Sequence, residues 1–402
     1  MVLPLLPIFA KSHLANGIMI GALMASYSLM QFIFAPIWGR LSDRIGRRPV
    51  LLVSTAGAAI SYAIFAVGCG MPGSTGLAVL FVSRIFAGIC GANITVAQAY
   101  IADITPPEER SKKMGLIGMA FGFGFVFGPF LSGKALQYFG VTGPGWFAAG
   151  FCAVNFIFAL AALPESLKPD STHVARRPQF AQFLHTLREP RIGLLIMIFF
   201  FATFCFACFE TTLGLLVSKN FHIDPTNAAD ASKVANLFAY CGIVGALVQG
   251  GGIGRAVKKM GEPMLITVSL LLVGLSLLPM PFLHTEVPFA WKTLLHAEGL
   301  PWVGLLVALA ALAIGSSLTR PPVFGLISNL TSASEQGTNI GVAQSVGSLA
   351  RIAAPMFAAP LFDQHPYIPY ITCAVISVIT AIIAWNQLVG AKLPIAKATA
   401  TV

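Results

Sequence analysis

The sequence has 402 residues, of which 56% are hydrophobic and only 10% are charged. Soluble proteins carry roughly 25% charged residues, so this composition excludes a soluble enzyme, a nucleic-acid-binding protein and a disordered chain. The formal net charge of +10 fits the excess of Lys and Arg that membrane proteins keep in their cytoplasmic loops. The composition predicts a protein that crosses the lipid bilayer several times and has no nucleic acid partner.

Eleven segments are long and apolar enough to span a bilayer, which takes about 20 mainly apolar residues. Five precede a polar stretch at 164–190 and six follow it. In chain order the predicted spans are 17–38, 50–70, 77–103, 113–136, 144–163, 191–218, 232–253, 263–283, 301–327, 337–360 and 367–388. Residues 1–10 resemble the outer end of a further helix whose beginning is absent, which would make the pattern six plus six. Met1 leads straight into apolar residues without a basic region, so we expect no cleaved signal peptide.

Loop charges predict the orientation. If the span 17–38 ends in the cytoplasm, most loop Lys and Arg fall on that side, as positive charge does in membrane proteins. That side then holds Arg40, Arg44, Arg47, Arg48, Arg110, Lys112, Lys113, Lys168, Arg176, Arg177, Arg188, Arg191, Arg255, Lys258, Lys259, Lys392 and Lys397. The opposite loops hold few, among them Lys11, Lys219, Lys233 and Lys292. We expect a cytoplasmic linker and C terminus and, in a bacterium, location in the inner membrane.

The two halves of the sequence resemble each other. Residues 101–105 align with 327–331, and the same offset pairs Glu109 with Glu335, Gly115 with Gly341 and Pro129 with Pro355. Chance matches in apolar sequence are the alternative, which the gap-free coincidence of these pairs disfavours. Parallel repeats of this kind describe a known transporter architecture. The predicted organisation is an N-terminal helical bundle at 1–163, a cytoplasmic linker at 164–190, a C-terminal helical bundle at 191–390 and a cytoplasmic tail at 391–402.

A short, densely charged loop joins the first two predicted spans. A solvated basic loop is one reading of segment 39–49, but its spacing of Gly, Asp, Gly and paired Arg is more specific than charge bias requires. The segment resembles the loop 2–3 signature of the major facilitator superfamily. That resemblance implies a charge network, anchored by the Asp, that latches the two halves in one access state. The latch residues would be Gly39, Asp43, Arg44, Gly46, Arg47, Arg48 and Asp103. The second repeat has Lys258 in place of the Asp.

Two further signatures fit the same family. Arg84, with Gly88 and Gly91, resembles the Arg motif implicated in proton transfer. Segment 124–133 resembles the antiporter motif, with Gly124, Gly128, Pro129 and Gly133 at matching positions and Ser132 in place of one glycine. Gly-Pro bends a helix and small residues admit a close neighbour, although kinked helices also serve purely structural roles. The closest resemblance is to bacterial tetracycline-efflux-like drug:proton antiporters, on segments 27–32, 35–36, 42–52, 99–105 and 344–351. It implies an all-α membrane protein with the major facilitator fold of two six-helix bundles.

Charged residues within predicted spans are functional candidates, since each costs roughly 3 kcal/mol or more at membrane depth. Four stand out: Arg84, Glu210, Arg320 and Arg351. Glu210 is the only acidic residue well inside a span, so we interpret it as the protonatable coupling group, with Arg84 and Arg351 as partners. The alternative is a permanent Glu210–Arg351 ion pair that joins two helices. For Arg320, contact with an anionic substrate and structural pairing are both open.

Polar residues on the spans are candidates for the substrate cavity, namely Asn93, Gln98, Asn236 and Gln344, beside Arg320. Hydrogen bonds between helices are an equally good reading of each, worth roughly 0.6–2 kcal/mol. No catalytic or cofactor site is predicted. No metal site is predicted either, because the Cys205–Cys208 pair has no second pair to complete one.

The predicted function is proton-coupled efflux of a small amphipathic compound, such as a tetracycline-like or other drug, by a monomer. The first alternative is a proton symporter that takes up a sugar, an organic acid or a peptide. The second is a membrane sensor or inactive paralogue that transports nothing.

Overall fold

The computed structural model describes residues 2–106, 110–166, 179–223, 228–287, 299–331 and 336–390, and within these ranges the chain is helical without any strand. After a 3₁₀ turn at Leu3–Leu5, the α-helices in chain order are α1 (Leu6–Ser12), α2 (Gly17–Ile45), α3 (Arg47–Gly70), α4 (Gly73–Gly91), α5 (Ile94–Ile104), α6 (Arg110–Phe139), α7 (Gly143–Ala162), α8 (Gln179–Arg188), α9 (Pro190–Asn220), α10 (Ala228–Leu247), α11 (Ile253–Met260), α12 (Glu262–Leu277), α13 (Leu300–Leu330), α14 (Gln336–Gln364) and α15 (Tyr367–Ala384).

Several sequence predictions fall outside the described ranges. They are the repeat pair Glu109 and Glu335, the predicted tail at 391–402, and the basic residues Lys168, Arg176, Arg177, Lys292, Lys392 and Lys397.

Ten helical stretches among the described residues are long and apolar enough to cross a membrane. They coincide with ten of the eleven predicted spans, and the remaining segment, 113–136, lies inside α6. The all-α, multi-pass prediction is therefore confirmed. It succeeded because a chain in lipid must satisfy its backbone polar groups internally, which leaves the helix as the solution for long apolar runs. Residues 3–12 are helical as well.

Two predicted spans are interrupted. Segment 77–103 is not one helix, because α4 ends at Gly91 and α5 begins at Ile94 after a short turn. Segment 232–253 passes from α10 into a π-helical turn at Val248–Gly252 before α11. This turn contains three successive glycines, and glycine lowers the stability of a regular α-helix by roughly 0.5–1 kcal/mol per residue.

The stretch predicted as a polar linker contains a helix, α8. Thr186 on α8 is buried and its hydroxyl donates a hydrogen bond to the side-chain oxygen of Asn339 at 2.8 Å. The amide of Asn339 in turn donates to the hydroxyl of Thr331 at 3.3 Å. Part of the predicted linker is thereby attached to the ends of α13 and α14.

Contacts divide the chain into two compact units that do not follow the predicted bundle boundaries. The first unit comprises Met1–Val174, Glu210–Gly242 and Arg351–His365, and the second comprises Ala175–Phe209, Ile243–Ala350 and Pro366–Val402. Parts of α9, α10 and α14 therefore pack with the N-terminal helices. The bundles at 1–163 and 191–390 stay a prediction from the sequence repeat.

We call the side on which α2 ends and α3 begins the basic side, and the other the opposite side.

In the second unit, a buried core that includes Ile196, Phe199, Leu270, Val323 and Val346 lies between α9, α12, α13 and α14. In the first unit, Gly145 lets α7 approach α3 closely, since a β-carbon there would lie 2.7 Å from that of Ala66. Such close approach through small residues is the usual way in which helices associate in membranes.

Candidate functional site

A charge network on the basic side joins the ends of α2, α3 and α5 within the first unit. Its centre is Arg47, the first residue of α3, which is only 8% exposed. The guanidinium donates to the carboxylates of Asp43 at 2.5 Å and Asp103 at 3.1 Å. A further hydrogen bond reaches the hydroxyl of Ser42 at 2.7 Å. The structure thus brings together three of the predicted latch residues and gives the central position to an arginine.

The other predicted latch residues have differing environments. Gly46 has a φ of +102°, in the region that glycine alone adopts freely, and so lets α3 follow α2 without an intervening loop. Arg48 donates to a backbone carbonyl of α7 at 2.9 Å. The carbonyl oxygen of Gly39 accepts a hydrogen bond from the hydroxyl of Ser42 at 2.8 Å. Arg44 is exposed.

Glu165 belongs to this network although the sequence placed it in the linker. Its carboxylate accepts the backbone N–H groups of Arg47 at 2.8 Å and Arg48 at 3.1 Å. These are unpaired donors of the first turn of α3, where a negative charge also complements the helix dipole. A β-carbon at Gly46 would displace the Glu165 carboxylate, so the glycine lets this acceptor lie directly against the start of α3.

We expect Glu165→Gln to destabilise the protein by about 1 kcal/mol, as is usual for loss of a helix N-cap. The amide offers only one acceptor oxygen, whereas the two carboxylate oxygens now accept from the N–H groups of Arg47 and Arg48 separately. Thermal unfolding of the purified protein in detergent would show a lower melting temperature. Glu286→Gln is the matched control, since Glu286 is exposed in the chain between α12 and α13. Equal melting temperatures for the two variants would contradict the capping role.

The second repeat contains a weaker copy of this arrangement. Gly261, with φ +74°, immediately precedes α12 as Gly46 precedes α3. The next residue, Glu262, accepts a hydrogen bond from the amide of Asn329 at 3.5 Å. In sequence, Asn329 corresponds to Asp103. The repeated residues therefore meet in the second unit too, with a carboxylate–amide pair in place of the arginine–carboxylate pair.

Arg84 lies deep in the first unit against an aromatic ring. It is 4% exposed, and its guanidinium carbon is 4.4 Å from the centroid of the Tyr27 ring. Glycines on α4 permit this approach, since a β-carbon at Gly88 would lie 2.5 Å from the carbonyl oxygen of Tyr27. The hydroxyl of Tyr27 accepts from the amide of Gln31 at 3.2 Å. Desolvated cation–π contacts of this kind contribute up to roughly 2 kcal/mol.

Glu210 and Arg351 also lie in the first unit. Glu210 is half-buried, ten residues before the end of α9, about 15 Å along that helix. Arg351 interacts electrostatically with both Glu210 and Tyr27. Among the described residues, no hydrogen bond or direct ion pair joins Glu210 to Arg351. We call Tyr27, Arg84, Glu210 and Arg351 the coupling cluster: the Arg84 guanidinium contacts the Tyr27 ring, and the charge of Arg351 acts on Tyr27 and Glu210 without a hydrogen bond to either.

The antiporter-like motif lies on α6. Gly128 and Pro129 are buried inside the helix. A β-carbon at Gly133 would lie 3.4 Å from the side-chain oxygen of Asn236, so the motif packs against a predicted cavity residue on α10. Gly124 has open space around it. The motif thus supplies a close helix contact at Gly133, whereas Gly124 is exposed.

The predicted cavity residues separate into two groups. In the first unit, the amide of Asn93 donates a hydrogen bond to the hydroxyl of Ser54 on α3 at 2.7 Å, which agrees with the interpretation that Asn93 connects helices. Gln98 is half-buried on α5. In the second unit, Arg320 donates to the side-chain oxygen of Gln344 at 3.4 Å. The structure therefore pairs two of the predicted cavity residues directly.

A close contact on the opposite side joins α1 and α2 to the end of α14, all within the first unit. Lys11 forms an ion pair with Asp363 at 3.0 Å, and the Asp363 carboxylate also accepts the backbone N–H of Gly17. At Gly21 a β-carbon would lie 2.5 Å from the carbonyl oxygen of Pro355. Backbones at this spacing leave no path between the two helices. We call this the opposite-side contact.

Membrane-spanning helices with paired repeats and charges held inside the spans define a membrane transporter. The chain belongs to the Major Facilitator Superfamily, which matches residues 1–355. It is therefore a multi-pass membrane transporter rather than an enzyme, as the sequence predicted.

Similar proteins include transporters from bacteria and mammals. The chain is 33% identical to the class E tetracycline resistance protein of Escherichia coli over 371 residues, 90% of this chain and 84% of that protein. It is 30% identical to human Major facilitator superfamily domain-containing protein 10, covering 86% of this chain and 74% of that protein. The crystal structure of the human organic anion transporter MFSD10 (TETRAN) matches with a TM-score of 0.63 at 25% identity, over 95% of this chain and 94% of that one. The predicted resemblance to tetracycline efflux proteins is confirmed.

Proposed function

We propose that the protein exports a small amphipathic compound, such as a tetracycline or another drug, in exchange for protons. The observation that carries this proposal is the position of Glu210. It is an acidic residue in a membrane-spanning helix, and it interacts with Arg351 without a direct ion pair. Ionisable residues at such positions commonly serve as proton relays in transporters.

In the proposed cycle, binding of a proton by Glu210 removes the charge that attracts Arg351. Because Arg351 also interacts with Tyr27, which in turn contacts Arg84, this change reaches the N-terminal helices. Loss of the proton restores the attraction. Two bundles then alternate about a central cavity, as parallel-repeat transporters do.

The proposed setting is the bacterial inner membrane, with the basic side in the cytoplasm. Arg40 and Arg44, at the end of α2 on that side, are both exposed, as the distribution of positive charge in membrane proteins requires. The similarity to tetracycline resistance proteins supports export. The similarity to a human organic anion transporter is of comparable extent, so the chemical class of the compound has to be inferred from this chain's own residues.

Everted vesicles with an imposed acid-inside pH gradient test this function. We expect collapse of the gradient when a transported compound, with tetracycline tested first, is added outside. Vesicles without the protein serve as the control. If no drug collapses the gradient while intact cells accumulate a sugar or an organic acid, the protein is a symporter and the proposal is wrong.

A further inference from the structure

Arg320 is a charged residue of α13 in the second unit and is not a member of the coupling cluster. It is exposed and lies ten residues before the end of that helix, about 15 Å along its axis. The hydrocarbon layer is about 30 Å thick, so this position lies within the membrane. An arginine that faced lipid there would carry a large energetic cost. The exposed surface of Arg320 therefore faces a water-accessible space.

Two phenylalanine rings surround the guanidinium. Its central carbon is 5.9 Å from the ring centroid of Phe199 and 5.6 Å from that of Phe324. The two rings contact each other edge to face, with centroids 5.0 Å apart. The cation thus rests on an aromatic surface built from α9 and α13, and both rings belong to or pack against the core of the second unit.

Helix α14 forms the third side of the site around Arg320, beside α9 and α13. Gly347 brings this helix against Phe199, because a β-carbon there would lie 2.7 Å from the ring. Gln344, one turn earlier, accepts a hydrogen bond from Arg320 at 3.4 Å. Phe199 and Gln344 lie nine and eight residues from the starts of their helices, about 12–14 Å along each. The group therefore lies at one level, close to that of Arg320.

We propose that Phe199, Arg320, Phe324 and Gln344 form a subsite for the negatively charged group of an aromatic organic anion. A guanidinium binds a carboxylate or sulfonate through two parallel N–H donors. The half-buried ring of Phe324 would contact the aromatic part of the same molecule, whereas buried Phe199 supports the guanidinium from below. The proposal rests on the proposed function, since it names the chemical class of the exported compound. The competing role is structural, with Arg320 serving only to attach α13 to α14 through Gln344.

Binding of two matched fluorescent probes to the purified full-length protein tests the subsite. Dansylglycine carries an aromatic group and a carboxylate, whereas its amide has the same ring and no charge. We expect the wild type to bind dansylglycine at least about tenfold more tightly than the amide, the usual scale for a charge-assisted pair. Arg320→Gln should abolish this preference and leave the affinity for the amide unchanged. Arg320→Lys, which keeps the charge without the planar fork, should retain part of it.

Lys219→Gln is the control for net charge, since Lys219 is exposed in the last turn of α9, and it should keep the full preference. Elution volume and melting temperature establish that each variant is folded. The proposal is overturned if the wild type shows no preference for the carboxylate, including no binding of either probe. It is also overturned if Arg320→Gln weakens both probes equally, which is the result expected of a structural role.

The probe-binding experiment tests the subsite and the vesicle experiment tests the proposed function, and either can fail without the other. Tetracycline-dependent proton movement without anion preference would support drug antiport and sink the subsite. Anion preference that depends on Arg320, in vesicles that show no substrate-dependent proton movement, would support the subsite and sink proton coupling.

Discussion

Replacing Glu210 by glutamine is expected to abolish substrate-dependent proton movement in everted vesicles, down to the level of vesicles without the protein. The glutamine has nearly the same shape but cannot bind and release a proton. It also has no charge to attract Arg351, so the residue behaves as if permanently protonated. Exchange of labelled for unlabelled substrate, which needs no net proton movement, should persist. The combination of lost coupling and retained exchange is specific for a proton-carrying role.

A structural role of Glu210 gives a different pattern. If Glu210 only held α9 in place, glutamine would reduce exchange and proton movement together and lower the melting temperature. Asp230→Asn provides the matched control, because Asp230 is paired with Lys233 at 2.6 Å on α10 and lies outside the coupling cluster. It should leave proton movement intact. Proton movement that persists in Glu210→Gln would show that another group couples transport to protons.

The sequence predicted the spans well because each long apolar run has one stable form in lipid, the helix. The interruptions at Gly91 and at the π-helical turn Val248–Gly252 were not predicted. Glycine and proline occur in spanning helices whether or not the helix breaks, since neighbours satisfy the freed backbone groups. Helix α8 was missed because its short, mixed sequence resembles a polar linker, and its attachment depends on the distant residue Asn339.

The sequence identified most residues of the candidate site but not the contacts between them. Charges inside the spans marked Arg84, Glu210 and Arg351 directly, because such residues are costly there. Tyr27 gave no such signal, since an aromatic residue in an apolar helix looks like packing until Arg84 is found on its ring. Glu165 was assigned to the linker because its partners are more than a hundred residues away in sequence.

A reversible crosslink across the opposite-side contact is expected to reduce transport by about tenfold or more, because alternating access requires each side to open in turn. Lys11 and Asp363 are an ion pair at 3.0 Å, so cysteines at these positions suit a short thiosulfonate crosslinker. The crosslink would hold α1 and α14 together and prevent release on that side. A reductant should restore transport. The native cysteines in the described ranges are buried or half-buried, which limits side reactions.

Two controls make this result interpretable. Each single-cysteine variant should transport normally with and without the reagent. The pair His13→Cys and Met71→Cys should also tolerate crosslinking, because the His13 ring lies 2.8 Å from the backbone carbonyl oxygen of Met71 and both positions lie among the N-terminal helices. If the Lys11–Asp363 crosslink forms fully and transport continues, α1 and α14 do not separate during the cycle. Substrate would then have to leave by a path that bypasses the opposite-side contact, and the proposed alternation of two bundles would be wrong for this protein.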